Sequence, residues 1–183
     1  MGEVRIRGAE QQDIAAIRDI YALNVETGTA SYELVAPSHS EMIDRFQAIH
    51  GKGYPYLVAE QGNKIIGYAY ASPFRTRPAY RWLVEDSVYI HEDAQGKGVG
   101  RMLLRALIEA CVELGFRQMV AVIGGAHPAS VALHQSCGFR SAGRLEATGY
   151  KFGNWLDTEM MQLALGEGNT TSPAQDRFPG TLA

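Results

Sequence analysis

The stretch "DAQGKGVGRMLLRALIEA", residues 93–110, sets three glycines, Gly96, Gly98 and Gly100, directly ahead of an apolar run at helical spacing: Met102, Leu103, Leu104, Leu107 and Ile108. Glycine inside a helix costs about 1 kcal/mol relative to alanine, so three at the mouth of one mark a close approach to the backbone. A helix start exposes unpaired N–H groups and the positive end of the helix dipole. Lys97 and Arg101 add charge of the same sign. The chemistry this favours is a phosphate or pyrophosphate site; the competing reading is a plain turn into a helix. A Walker A loop needs Lys-Ser or Lys-Thr after its last glycine, and neither occurs here. A dinucleotide G-x-G-x-x-G fails in both registers, with Arg101 or Leu103 where the third glycine belongs.

Working outward, VRIR (4–7) reads as a strand, and Ile14, Ile17, Ile20 and Tyr21 recur at helical spacing. Residues 28–38 are loop-like. Met42, Ile43, Phe46 and Ile49 predict a short helix entered through Ser40. "YPYLVAEQGNKIIGYAYAS" reads as a hairpin turning at Gln61-Gly62-Asn63, and "WLVEDSVYI" (82–90) as a third long strand. A helix of about 98–114 ends at Gly115. A short buried strand (119–124), a helix from Pro128 to Ser136 and two closing strands follow. Residues 166–183 read as a polar tail. This order predicts an α/β domain over residues 1–165, a mixed sheet with helices on both faces.

Of the 183 residues, 46% are hydrophobic and 20% charged, with a net charge of −3, as in an ordinary soluble globular chain. No long basic block is present, which argues against nucleic-acid or membrane-surface binding. No apolar run reaches membrane-spanning length, and the start MGEVRIRGAE lacks a signal-peptide core. Two cysteines, Cys111 and Cys137, form no ligand cluster and point to a reducing cytoplasm. No metal is expected.

"QGKGVG" fits, in Gln95, Gly98 and Gly100, the Q/R-x-x-G-x-G/A signature of the GNAT superfamily of acyl-CoA-dependent N-acyltransferases. The resemblance runs over residues 4–165. Through "YPYLVAE", "RPAYRWLVEDSVYI", "AVIGGAHPASVALHQSCGF" and "GYKFGNWLD" it narrows to the phosphinothricin and methionine sulfoximine N-acetyltransferases. It implies a splayed, mostly antiparallel seven-stranded sheet with acetyl-CoA in the opening. The pyrophosphate would lie on the amides of Gly96, Lys97, Gly98, Val99, Gly100 and Arg101, beside Gln95. The pantetheine arm would pair with the backbone of Val88, Tyr89 and Ile90, a ligand form of β-augmentation. Where the family often has a cofactor-contacting Asn, this chain has His127.

Acetyl transfer needs a neutral amine, while an α-amino group with a pKa near ~8 is mostly charged at neutral pH. A base must take the proton. Glu85 and Asp86 sit in an otherwise largely apolar strand. Alternation puts Glu85 with Ser87 and Tyr89 on one face and Asp86 on the other. Burial would raise a strand carboxyl toward the range useful in a base. The resemblance points to Glu85; the alternative is a solvated strand glutamate. Asp86 is the weaker candidate, equally readable as a surface or salt-bridge residue. His134 stands where many relatives carry a tyrosine thought to protonate the leaving thiolate. It reads as an acid, a relay or a packed helix histidine. Cys137 shows no His-Asp arrangement that would make it a nucleophile, so direct attack on the thioester is the expected route, with a Tyr89–Ile90 strand amide facing the carbonyl oxygen.

"SPFRTRPAYRW" is cationic and aromatic, suited to pairing with carboxylate, phosphinate or sulfone oxygens. The resemblance places Arg75, Arg77 and Tyr80 around an amino-acid pocket, together with Glu85 and Tyr89, and Tyr32 over it. The loop looks more like the phosphinothricin type. Aromatic Tyr150, Phe152 and Trp155 near the end, with the family habit, imply a homodimer. Rival functions are a noncatalytic acyl-CoA sensor and an acetyltransferase for protein N-termini or other amines.

Overall fold

The computed structural model describes residues 2–178. Seven strands form one sheet: β1 (Val4–Gly8), β2 (Tyr56–Gln61), β3 (Lys64–Pro73), β4 (Leu83–Ile90), β5 (Gln118–Gly124), β6 (Arg140–Lys151) and β7 (Asn154–Ala164). Their spatial order is β1-β2-β3-β4-β5-β7-β6. All neighbours are antiparallel except β4 and β5. These two run parallel because the chain crosses between them through α3 (Val99–Leu114). The remaining helices are α1 (Ile14–Thr27), α2 (His39–His50) and α4 (Pro128–Ser136). This is the mixed α/β sheet that the strand and helix periods predict.

The strand alternation divides the core in two. On one face, Leu103, Leu104, Leu107 and Cys111 of α3 cluster with Ala59, Ala69, Ala71 and Val84, all at 0% exposure. Small alanines on the sheet let α3 lie close, and each fully buried leucine contributes about 1.5–3 kcal/mol. On the other face, Ile14, Ile17, Ile20, Met42 and Phe46 of α1 and α2 cover Tyr56, Val58 and Tyr68. Tyr56, Tyr68 and Tyr89 form a stacked row there, with ring centroids 5.2–6.0 Å apart from one to the next.

Two boundaries differ from the sequence reading. Helix α2 is capped by Ser38, not Ser40: the Ser38 hydroxyl accepts from the Glu41 amide and Glu41 accepts from the Ser38 amide. The S-x-x-E spacing of a capping box explains the choice. In the β2–β3 hairpin Gln61 pairs with Lys64, so only Gly62 and Asn63 turn.

Residues 166–178, polar in composition, lie back on the sheet end of α3. Arg117 donates to the carbonyl of Gly168, to the Thr171 hydroxyl and to the carbonyl of Ser172 at 2.9–3.3 Å. Phe178 stands edge-on to Tyr54 and Phe116. Phe178 and two arginines hold the segment, Arg177 donating to the Glu113 carbonyl, which average polarity does not reveal. The last five residues of the expected tail, 179–183, lie outside the described part.

The functional geometry comes from the β4–β5 pairing. It runs from Leu83 opposite Gln118 to Asp86 opposite Ala121 and stops. Beyond it, β4 continues to Ile90 beside β3 alone, while β5 continues to Gly124 beside β7 alone. The sheet opens there, leaving one edge of residues 87–90 without a strand partner.

Candidate functional site

A cavity of about 280 Å³ lies at the opening, lined by Tyr32, Tyr70, Glu85, Asp86, Ser87, Val88, Tyr89, His134 and Thr158 among others. It brings together Glu85, His134, Tyr32, Val88 and Tyr89 from three separate parts of the sequence. Asp86 is the last paired residue of β4, so both acidic side chains stand where the strands part. A larger open depression near Arg7, Asp13, Glu60 and Lys64 contains none of the candidate residues. Its Arg7 is already paired with Asp13 at 2.7 Å and Glu60 at 3.0 Å, so it is not the candidate site.

Glu85 faces the side of Ser87 and Tyr89. Burial raises its carboxyl pKa, the neighbouring charge of Asp86 adds to this, and Arg75 opposes it. Tyr70, which bonds Ser87, also feels the charge of Glu85. Asp86 is not a surface residue: it is 6% exposed, and its Oδ2 lies 2.9 Å from Nε2 of His134. Sequence reasoning missed this partnership. The signal was present in period two, which puts Asp86 on the same buried face as Val84. Burial works against a charge on His134, but the hydrogen bond and charge of Asp86, with the Ser130 carbonyl, outweigh it and raise the imidazole pKa.

Tyr32 closes the cavity from the 28–38 loop. Its hydroxyl accepts from the Gly125 amide at 3.2 Å and lies 2.8 Å from the Thr158 hydroxyl and 2.9 Å from the Asp157 carbonyl. Two glycines make room for its ring, since a Cβ on Gly149 would come within 2.8 Å of it and one on Gly124 within 3.1 Å. Buried Lys151 ties the same loop down by donating to the Ser31 carbonyl at 2.9 Å.

The glycine turn lies past the end of β4. Gly96 and Gly98 have φ of +71° and +82°, and a Cβ on either would meet nothing within 4 Å. Both are needed for backbone shape. Gly100 has another reason: a Cβ there would come 3.2 Å from Leu133, so its absence lets α3 pack on α4. The first amide of α3 to find a backbone acceptor at the turn is that of Met102, which donates to Gly98. The amides before it have no acceptor within the helix. Gln95 reaches the Ile90 carbonyl at 3.4 Å, Lys97 donates to the Asp93 carbonyl, and Arg101 to that of Ser136 at 3.3 Å. His127 precedes α4, exposed and without a side-chain cap bond.

Arg75, Arg77 and Tyr80 are exposed and do not line the cavity. The Arg75 guanidinium lies over the Phe74 ring at 4.1 Å, and Tyr80 stands edge-on to the same ring. Only Arg75 is shown to act on the cavity, through its charge on Glu85. Among the described residues no group of three His, Cys, Asp or Glu is placed to hold a metal. Likewise, no described helix is long and apolar enough to cross a membrane.

The opened sheet thus carries an acidic group at its fork and the amides of a helix start beyond it. The model of the acetyltransferase (GNAT) domain matches residues 6–161, and the chain belongs to this family of acetyl-transferring enzymes. A phosphinothricin N-acetyltransferase of Alcaligenes faecalis is 49% identical over 92% of this chain and 86% of its own length. An L-methionine sulfoximine/L-methionine sulfone acetyltransferase of Salmonella typhimurium is 39% identical over 88% of this chain and 95% of its own. The structure of a phosphinothricin acetyltransferase from Sinorhizobium meliloti, solved in complex with acetyl-CoA, superposes with a TM-score of 0.95. It is 52% identical and covers 96% of each chain.

Proposed function

We propose that this chain moves the acetyl group of acetyl-CoA directly to the amino group of a small amino-acid analogue such as phosphinothricin or methionine sulfoximine or sulfone. The observation that carries the reading is the fork: a half-buried glutamate with a raised pKa stands where β4 loses its partner. The residues fit the cosubstrate. Residues 96–101 offer free amides and an open side at Gly96 and Gly98 for a pyrophosphate. Val88, Tyr89 and Ile90 offer an unpaired edge to an amide-bearing arm, with Gln95 and His127 flanking. Acetyl-CoA supplies an activated thioester; the protein holds it and manages the proton. Glu85 receives the ammonium proton, directly or through one water, and the amide of Tyr89 or Ile90 donates to the carbonyl oxygen as charge develops. Tyr32 covers the acceptor.

The test is thiol release from acetyl-CoA with phosphinothricin, methionine sulfoximine, methionine sulfone and ordinary amino acids as acceptors. Turnover with the first three, and little with the rest, is expected. Binding of acetyl-CoA without turnover on any amine would make the chain a sensor instead.

Arg75 and Arg77 give the acceptor site its preference for anions. The charge of Arg75 felt at Glu85 supports this for Arg75, while Arg77 enters through its place on the same cationic loop. A charged hydrogen bond contributes about 1.5–3 kcal/mol, or roughly ten- to a hundredfold. The double change Arg75→Ala with Arg77→Ala should raise KM for phosphinothricin by that factor and leave KM for acetyl-CoA alone. An unchanged acceptor KM would return the loop to solvent.

The chain works as a homodimer in this reading. Leu145, Tyr150, Phe152 and Trp155 are 52–68% exposed on the outer β6–β7 hairpin, with the Tyr150 and Trp155 ring centroids 5.2 Å apart. Light scattering should give twice the chain mass; a monomer mass at high concentration would end the proposal.

A further inference from the structure

His134 has no free ring nitrogen. Its Nδ1 lies 2.7 Å from the carbonyl oxygen of Ser130, one turn back in α4. A carbonyl oxygen only accepts, so Nδ1 carries a hydrogen and donates it. Its Nε2 lies 2.9 Å from Oδ2 of Asp86, and a single proton between these two atoms satisfies both. The side chains are 4% and 1% exposed, and Phe139 stands edge-on to the ring at 5.0 Å. Turning either nitrogen into the cleft would break one of the two bonds.

The fold gains little from this arrangement. Oδ1 of Asp86 is buried with no hydrogen-bond partner among the described residues. A buried ion pair is seldom better for stability than apolar residues of the same volume, and an unsatisfied oxygen makes it worse. Yet both residues line the cavity at the fork.

We propose that Asp86 is a positioning residue for the transfer reaction: with the Ser130 carbonyl it occupies both nitrogens of His134, so that His134 presents a fixed, polarised ring edge to the cleft and does not itself pass a proton to the departing sulfur. The inference rests on the acetyl-transfer reading above. The balance of the step is complete without His134 as donor. The nitrogen–carbon bond forms as the attacking nitrogen gives up its second proton to water, the carbon–sulfur bond breaks with its electron pair going to sulfur, and the thiolate takes a proton back from water. A thiol with a pKa near ~8.5 leaves well enough for that. A pinned ring supplies preorganised positive charge beside the breaking bond and needs no rearrangement during the reaction. The titratable groups that feel the same carboxylate are Glu85 on its own strand and Cys111 on α3, whose thiol is pushed up to about 12 first by burial and then by Asp86.

Nitrogen NMR of the His134 ring tests the clamp in the unmodified protein. Both ring nitrogens should stay protonated to a pH above the usual histidine midpoint of ~6.5, and Asp86→Asn should lower that midpoint. Asp86→Asn should also lower kcat at least about tenfold with KM for acetyl-CoA within about twofold, and adding it to His134→Ala should cost nothing more, since the two act as a unit. The double change Asp86→Val with His134→Leu should melt at or above the wild-type temperature while losing the same activity, which a structural role would not allow. A solvent deuterium effect on kcat should be equal in wild type and His134→Ala. The proposal is overturned by an ordinary midpoint that Asp86→Asn leaves in place, by wild-type kcat in Asp86→Asn, or by a deuterium effect that disappears in His134→Ala. Should Asp86→Asn fail to fold, the wild-type titration and the His134→Ala isotope comparison still decide. No thiol release by the wild type with any amine would overturn the reaction itself and Asp86's part in it, while the titration would still report the clamp.

Discussion

Gly98→Val should remove measurable acetyl-CoA binding in calorimetry. Gly98 caps α3 at φ +82° and ψ −3°, a left-handed backbone that a β-branched residue adopts only with strain. A Cβ there meets no protein atom within 4 Å. The protein therefore folds around the substitution, and the side chain projects into space that the pyrophosphate needs in the proposed complex. Losing two charged hydrogen bonds of about 1.5–3 kcal/mol each weakens binding by a hundredfold or more at about 1.4 kcal/mol per factor of ten. Gly98→Ala separates the causes, because alanine shares the backbone cost but fills less of the space. It should bind measurably, more weakly than wild type. Equal losses in the two variants would assign the effect to strain, and wild-type affinity in the valine variant would move the cosubstrate elsewhere.

The glycine turn was legible because it is local. Helix period, the three glycines and two cations lie within ten residues, and the structure places helix α3 within a residue of the expected start. The reason for each glycine was only partly legible. Gly96 and Gly98 answer to backbone shape, but Gly100 answers to Leu133, more than thirty residues later in the chain. The same limit governs the site. Period two separated Glu85 from Asp86 correctly, yet the sequence gives no distance from Asp86 to His134, 48 residues on. It offered three roles for that histidine and no means of seeing that both nitrogens were engaged. Ser40 lost to Ser38 because the capping glutamate three residues on was passed over. The docking of residues 166–178 depends on Phe178 meeting Tyr54 and Phe116 and on Arg117 meeting the segment's carbonyls, tertiary facts hidden in polar composition. The arginine loop is the converse: its charge pattern was plain, but in the structure Arg75 rests on Phe74 and Arg77 is exposed. Charge identity reads from sequence, while aim requires the fold.

Glu85→Gln should lower kcat/KM about a hundredfold or more at neutral pH, the scale of a general base, and by much less where the acceptor amine is already neutral. The carboxyl is raised by burial first and by Asp86 second, against the pull of Arg75, so its proton affinity moves toward that of the amine it serves. A base raised in this way takes a proton from an ammonium at smaller cost than an ordinary carboxylate. The wild-type profile of kcat/KM should rise through the Glu85 pKa and again as the free acceptor's ammonium loses its proton. In the glutamine variant the first limb should vanish and the second remain. Stability supplies the control, with its sign fixed by linkage. A carboxyl with a folded pKa above its unfolded value favours the folded state below the unfolded pKa, and that contribution is lost as pH rises through the folded pKa. Above the folded pKa the charged Glu85 is therefore a cost to the fold, and there Glu85→Gln should melt at the same temperature or higher. A slower enzyme that is no less stable, with its acid limb gone, is the outcome for a base. A pH profile that keeps the wild-type shape would remove Glu85 from the proton's path and leave a bridging water held by other groups at the fork to do the work.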